Sequence, residues 1–271
     1  MSSSPEADRV RVFDGAAEAR RDDERLIATA ERVILSGQYI LGPEVAVFET
    51  ELAAFIDPAV HAVSCASGTD ALWLALRALG IGHGDAVVVP AFTFFATASA
   101  VLTTGATPVF CDIDRETFNM DPVALERILE GTSSAHRRIG VDRSMIKAVI
   151  PVHLYGQPAD MDVIRPIADS HGVAVVEDAA QALGADLDGR TVGTLGAVAC
   201  FSFFPTKNLG GFGDGGAVVT ADAQLGDRLR ALRAHGGAKR YSHEYVGTNS
   251  RLDALQAAML RVRLEGVRQR L

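Results

Sequence analysis

The sequence is short of the features that mark secreted, membrane-spanning or nucleic-acid-binding proteins. It has only three cysteines, Cys65, Cys111 and Cys200, far apart and set among apolar or small neighbours. That spacing argues against a disulfide framework or a cysteine metal site, and reads as reduced core thiols in a cytoplasmic protein. Basic residues are outnumbered, 26 Lys and Arg against 34 Asp and Glu, for a formal net charge of -8. Neither nucleic acid nor an anionic membrane is an expected partner for such a balance, although one local pocket can still hold a phosphorylated small ligand. No stretch of bilayer-spanning length is free of charges or helix breakers. The opening "MSSSPEADRVRVFDG" contains no apolar signal-peptide core. Internal repeats and low-complexity linkers are lacking too.

What is present is a large apolar fraction, 48% against 22% charged, enough for a sizeable core. The length suits one large α/β domain, or a large domain with a fragment of a second. Short apolar runs recur at "HAVSCA", "AVVVP", "TPVFC", "KAVIPV", "VAVVE", "VACFSF" and "GAVVT". They are continuous rather than alternating, as expected of strands covered on both faces. Between them lie helical patterns, "TDALWLALRAL", "DPVALERILE", "DMDVIRPIADSHG" and "ADAQLGDRLRALRAHG". The alternation predicts an α/β fold, a mostly parallel sheet with helices on both faces. Ligands of such sheets sit beyond the carboxyl ends of the strands, so the residues that follow each run matter most.

After "HAVSCA" comes "SGTDAL". Ser67 with Asp70 three residues later reads as a capping box. Capping alone is the stronger reading of this motif by itself; Gly68, Thr69 and the free amides of a first helical turn read alternatively as a phosphate seat. After "VAVVE" comes Asp178, either the N-cap of a following helix or a carboxylate for a cationic ring nitrogen. Gln181 would then lie one helical turn further on and reach the same ring. After "VACFSF" come Ser202 and Lys207, the lysine standing in "FSFFPTKNLGG" between a proline and a glycine pair. Lys207 belongs either to a solvated surface turn or to a rigid one that lowers its pKa and readies it for Schiff-base chemistry. A phosphate seat, a carboxylate and a lysine, each after a strand of one sheet, are together what pyridoxal 5'-phosphate requires.

From "GQYILGPEV" onward the chain resembles the large domain of the DegT/DnrJ/StrS family of sugar aminotransferases, fold-type-I enzymes dependent on pyridoxal phosphate. The segments that carry the resemblance are "GQYILGPEV", "ASGTDAL", "VPAFTFFAT", "PVHLYGQPADMD", "VEDAAQALGA", "FSFFPTKNLGGFGDGGAVVT" and "GTNSRLDALQAA". The resemblance implies that Lys207 is the Schiff-base lysine and that Gly68, Thr69 and Ser202 hold the cofactor phosphate. It further implies that Phe94 stacks on the ring, Asp178 holds the ring nitrogen and Gln181 bonds the ring hydroxyl. Asn249 would reach the partner's phosphate site across a homodimer with shared active sites. The implied substrates are a nucleotide-linked keto sugar and an amino donor, glutamate or glutamine. "GTNSRLD" is similar to the version carried by relatives that aminate 3-keto rather than 4-keto sugars. Two other functions remain open on these residues: an aromatic-ring-forming relative, and a non-catalytic cofactor-binding or regulatory protein.

Remaining features read as structural. "GGFGDGG" leads into a strand rather than a helix, so its glycines are expected to supply unusual backbone angles beside the cofactor rather than a dinucleotide site. His153 is expected to be a hydrogen-bonded structural histidine, His235 and His243 lack the partners of a metal site, and Trp73 is expected to pack. The expected organisation is an N-terminal arm and helix (1–30), a large cofactor-binding domain (31–248), and the start of a helix (249–271) leading into a small C-terminal domain. On that helix Leu255, Met259, Val262 and Leu271 have the spacing of an apolar face that needs a partner.

Overall fold

Continuous apolar runs bury both faces of a strand, and here they build the middle of a seven-stranded sheet. The computed structural model describes residues 13–133, 140–237 and 242–270. Helices α1 (Gly15–Arg20), α2 (Asp23–Ser36) and α3 (Pro43–Ile56) come first. The α/β body follows as β1 (His61–Cys65), α4 (Gly68–Ala78), β2 (Ala86–Pro90), α5 (Phe95–Thr103), β3 (Thr107–Cys111), α6 (Pro122–Leu129), β4 (Ile146–Val149), α7 (Met161–Ser170) and β5 (Ala174–Asp178). A short ribbon of β6 (Asp186–Leu187) and β7 (Arg190–Thr191) leads to β8 (Val198–Ser202) and β9 (Gly216–Thr220). The described chain closes with α8 (Ala223–Leu232), α9 (Ala254–Leu264) and α10 (Val267–Arg270).

The strand order is β1-β9-β8-β5-β4-β2-β3. From β3 to β8 every pairing is parallel, and β9 alone runs against both its neighbours, β8 and β1. The carboxyl ends of β1, β5 and β8 therefore share one edge of the sheet, where the amino end of β9 meets them. Successive residues of β2 face opposite cores. Ala86 and Val88 pack with residues of α3, α6, α7 and α9, whereas Val87 and Val89 pack with residues of α4, α5 and α8. This two-sided burial explains why the runs were apolar throughout, and it is the mostly parallel α/β sheet that the alternation of patterns predicts.

Gly216 sits opposite Cys65 on one side and Ser202 on the other. A Cβ there would lie 2.4 Å from the carbonyl oxygen of Ser67, a backbone atom that cannot swing away. The glycine is what lets the three chains meet. Of the glycines in "GGFGDGG", only Gly213 has a positive φ, 156°. The expectation of unusual backbone angles is therefore corrected: the other glycines of this segment serve close approach, as at Gly210, whose Cβ would stand 2.2 Å from the Pro205 carbonyl oxygen.

Helix α2 crosses residues 30 and 31 without a break and packs with α3 against α9. The buried side of α9 is its alanine-rich face, Ala254, Ala257 and Ala258, with Leu260 and Leu264. Val262 is covered as well, while Leu255 stays exposed and Leu271 lies outside the described residues. Among the described residues no helix is long and apolar enough to cross a membrane. Near the carboxyl end of β1 the buried Arg233 donates to Glu49 and to the Ser64 carbonyl at 2.7 Å, tying the end of α8 to α3 and β1.

Gly216→Ala is expected to destabilise the chain by about 1–3 kcal/mol, the usual cost of forcing one methyl group into a packed site. A thermal melt checks it, and an unchanged melting temperature would show that the three-chain junction has slack.

Candidate active site

The edge where β1, β5, β8 and β9 meet is hollowed into a pocket of about 440 Å³ lined by Ser67, Gly68, Thr69, Thr93, Phe94, Asp178, Gln181, Ser202 and Lys207, among others. Its floor on one side is the start of α4. Ser67 is the N-cap, its hydroxyl oxygen accepting from the Asp70 amide at 3.1 Å. Asp70 does not complete the capping box: its carboxylate accepts from the Ser250 hydroxyl at 2.8 Å instead. The amides of Gly68 and Thr69 have no carbonyl a turn back to bond, and they open toward the cavity at the positive end of the helix. Ser202 brings a hydroxyl to the same spot. A Cβ on Gly68 would lie 2.7 Å from the Cβ of Ser202, so only glycine lets the two approach. Hydroxyls and helix-start amides suit a phosphate, and the Asp70 carboxylate of the same turn is engaged by the Ser250 hydroxyl.

Asp178 is the last residue of β5 and almost fully buried. No helix follows it. Residues 179–185 run as successive turns, so neither the N-cap reading nor a helical spacing to Gln181 holds. The side chain instead binds its own turn, Oδ1 accepting from the Ala180 amide at 3.3 Å, while Oδ2 accepts from the Thr97 hydroxyl at 2.8 Å. Gln181 still reaches the cavity, held by its Oε1, which accepts from the Tyr155 amide at 2.7 Å. Burial pushes the Asp178 carboxyl above its ordinary value, with the Thr97 hydroxyl, the Ala180 amide and the Lys207 charge among the groups working against that rise.

Lys207 stands in the tight connection from β8 to β9. Its amide donates to the Phe204 carbonyl at 2.9 Å, and further along Gly211 donates to the Phe203 carbonyl at 2.7 Å, closing the loop on itself. The side chain is half-buried, and burial lowers its pKa while Asp178 opposes the change. The turn is closed by its own backbone hydrogen bonds, and its lysine is half-buried rather than fully solvated. An amine with a lowered pKa has a larger uncharged, nucleophilic fraction at neutral pH.

Other expectations sort cleanly. Phe94, exposed over 73% of its surface, caps α5 without a side-chain bond and presents its ring to the cavity. His153 is fully buried and takes no part in the pocket: Nδ1 accepts from the Ala159 amide, which leaves Nε2 to donate to Glu177 at 3.0 Å. Trp73 packs against the core. Asn249 is exposed and lies outside the cavity lining, although its neighbour Ser250 is tied to the Ala66 amide and to Asp70. Sequence reasoning missed Thr93, Thr97, Asp214 and Glu177. The first three contribute to the pocket or to Asp178, and Glu177 accepts from the amides of Gly193, Leu195 and Gly196 beneath it. A threonine just before a helix, another buried in its first turn and a strand glutamate carry no distinctive sequence signal, so only the contacts reveal them.

A family model described as the DegT/DnrJ/EryC1/StrS aminotransferase family matches residues 20–271. The chain belongs to this family. Among curated members it is 50% identical over 267 residues to a dTDP-3-amino-3,4,6-trideoxy-alpha-D-glucose transaminase of Streptomyces venezuelae, covering 97% of this chain and 66% of that one. It is 46% identical to a UDP-2-acetamido-2-deoxy-3-oxo-D-glucuronate aminotransferase of Pseudomonas aeruginosa, covering 94% of this chain and 67% of that one. It thus spans about two thirds of the length of these relatives. Among solved structures, Streptomyces venezuelae DesV in complex with a ketimine intermediate superposes with a TM-score of 0.88 at 49% identity, over 96% of this chain and 67% of that one. NtdA from Bacillus subtilis with bound cofactor PMP gives a TM-score of 0.84 at 30% identity, over 98% and 58%. The sheet is accordingly that of the family's fold-type-I large domain.

The buried carboxyl of Asp178 gives this family member a testable pH signature. An aspartate whose folded pKa lies above its unfolded value costs stability once the pH rises through the folded value, and costs none below the ordinary carboxylate range. Cofactor-free Asp178→Asn is therefore expected to melt a few degrees above the parent near pH 7, with the gap closing as the pH is lowered. Circular-dichroism melts across that range check the sign; a lower melting temperature for the variant at neutral pH would contradict it.

Proposed function

We propose that this chain is the cofactor-binding part of a pyridoxal-phosphate-dependent aminotransferase, one that converts the keto group of a nucleotide-linked sugar to an amine with glutamate or glutamine as donor. The observation that carries the proposal is the half-buried Lys207, sharing one cavity with the buried Asp178 and a helix-start anion seat. The donor set fits the cofactor part by part. Amides of Gly68 and Thr69 with the Ser202 hydroxyl suit its phosphate, and the buried carboxylate suits a protonated ring nitrogen. The amide group of Gln181 suits the ring hydroxyl, and the open face of Phe94 suits the ring itself. When bound, pyridoxal phosphate supplies an aldehyde that takes up the donor's nitrogen and a ring that accepts electrons from its α-carbon.

The protein's own contributions follow from position. Asp178 keeps a proton on the ring nitrogen, which its buried site makes worthwhile: a carboxylate short of solvent gains most from a cation brought to it. Lys207 would hold the cofactor's aldehyde carbon, and its Nζ is the group placed to move a proton away from the donor's α-carbon. Phe94 fixes the ring plane and keeps water off one face. Asn249, outside its own cavity, serves the phosphate site of a second copy in a homodimer.

The preference for a 3-keto over a 4-keto sugar rests on "GTNSRLD" and gains support from the names of the relatives above, both of which carry nitrogen or a keto group at position 3. Lys207→Ala is expected to abolish the adduct trapped by borohydride reduction in the presence of pyridoxal phosphate, read by mass spectrometry. An adduct of parent yield on another lysine would overturn the assignment. With the full-length protein, turnover of 3-keto sugar nucleotides is expected to exceed that of 4-keto-6-deoxy ones, and equal or better 4-keto turnover would reverse the preference.

A further inference from the structure

Behind Asp178 lies a pair of threonines that no motif announces. Thr97, in the first turn of α5, is fully buried, and its hydroxyl stands 2.8 Å from Oδ2 of Asp178. Thr93, four residues earlier and at the cavity wall, has its hydroxyl 2.9 Å from that of Thr97. The order of the hydrogens follows from the count of donors. A hydroxyl has one proton to give. If Asp178 is ionised it can only accept, so Thr97 spends its proton on the carboxylate and must accept from Thr93. All donors then run one way, from the cavity wall to Oδ2. That order is the one a charged Asp178 requires, whereas a proton on Oδ2 would reverse the Thr97 bond.

We propose that Thr97, backed by Thr93, is a positioning residue for Asp178, fixing its carboxylate plane and holding it as the charged acceptor that faces the cofactor ring. The proposal rests on the reading of the cavity as a pyridoxal-phosphate site. Each carboxylate oxygen accepts one bond, and because the one from the Ala180 amide to Oδ1 is long while that from Thr97 to Oδ2 is short, Oδ1 is the more weakly committed acceptor for a ring N–H. Thr93 and Thr97 flank Phe94 on the same segment, so the group that sets the ring plane and the group that sets the carboxylate share one helix start.

The other ionisable groups around Asp178 come from each neighbouring element. His153, buried after β4, and Lys207, from the β8–β9 connection, both favour the charge. Glu177, adjacent on β5, is committed to His153 and to the amides of Gly193, Leu195 and Gly196. Cys200 on β8 is paired beside Asp178 in the sheet, its thiol held neutral by burial. None of them touches Oδ2, so the threonine contact is the one that a single methyl-for-hydroxyl exchange removes.

The test compares Thr97→Val, Thr97→Ser and Thr93→Val with the parent. The cofactor-free chains are titrated by carbon NMR of the Asp178 carboxyl, assigned with Asp178→Asn. Thr97→Val is expected to move the titration midpoint upward, Thr97→Ser to restore it, and Thr93→Val to move it less in the same direction. In equilibrium dialysis with pyridoxal phosphate, Thr97→Val is expected to bind roughly tenfold more weakly, the usual worth of one hydrogen bond to a charged group, and Thr97→Ser close to the parent. A folded Thr97→Val that titrates like the parent overturns the proposal, even if it melts lower. Should that variant fail to fold, an unmoved midpoint in Thr93→Val does the same. A parent chain that binds no pyridoxal phosphate sinks the proposed function, while the cofactor-free titration still decides the role of Thr97.

Discussion

The insertion of β9 between β1 and β8, against the direction of both, is the constraint from which the site follows. It brings the amino end of one strand to the carboxyl ends of two others, and it works because Gly216 has no side chain to strike the Ser67 carbonyl. The same junction presses Gly68 against Ser202, so a helix start and a strand end, far apart in sequence, line one corner of the cavity. The loop that must turn β8 back into β9 is in turn the loop that carries Lys207. The placing of Lys207 and the meeting of Gly68 with Ser202 are thus two consequences of one reversal in chain direction.

Two adjacent carboxylates at the end of β5 show how a buried charge can serve stability or function. Glu177 is surrounded by donors, three amides and the Nε2–H of His153, and fixes the turns beneath the site. Asp178, on the opposite face, has one hydroxyl and one long amide bond, and burial pushes its pKa up. A carboxylate left short of partners costs stability in the free chain. That deficit is what a cation entering the cavity would relieve. A trade of stability for binding at this position agrees with the general pattern that local rules are broken at functional sites.

Lys207 is tuned in the opposite sense. Its ammonium is disfavoured by burial and favoured by Asp178, so the two groups moderate one another across the cavity. Half-burial keeps the amine reachable, and the closed loop of residues 203–211 keeps it from wandering. Rigidity of the backbone with access for the side chain is the combination that a reactive lysine needs.

By itself the sequence determined the α/β class, because continuous apolar runs and helical patterns encode burial periodicity locally. It also determined the candidate residues that stand at strand ends, Gly68, Thr69, Asp178, Ser202 and Lys207, since position after a buried run is legible without a structure. Tertiary structure decided the rest. Nothing local says that β9 turns back between β1 and β8, that Asp178 is followed by turns instead of a helix, or that the glycines after Lys207 serve close approach more than special angles. Nor could spacing find Thr97 or Glu177, whose partners lie in other elements. Periodicity reports which face of an element is buried; hydrogen bonds between elements, and the shift of a pKa by burial, exist only once the chain has closed on itself.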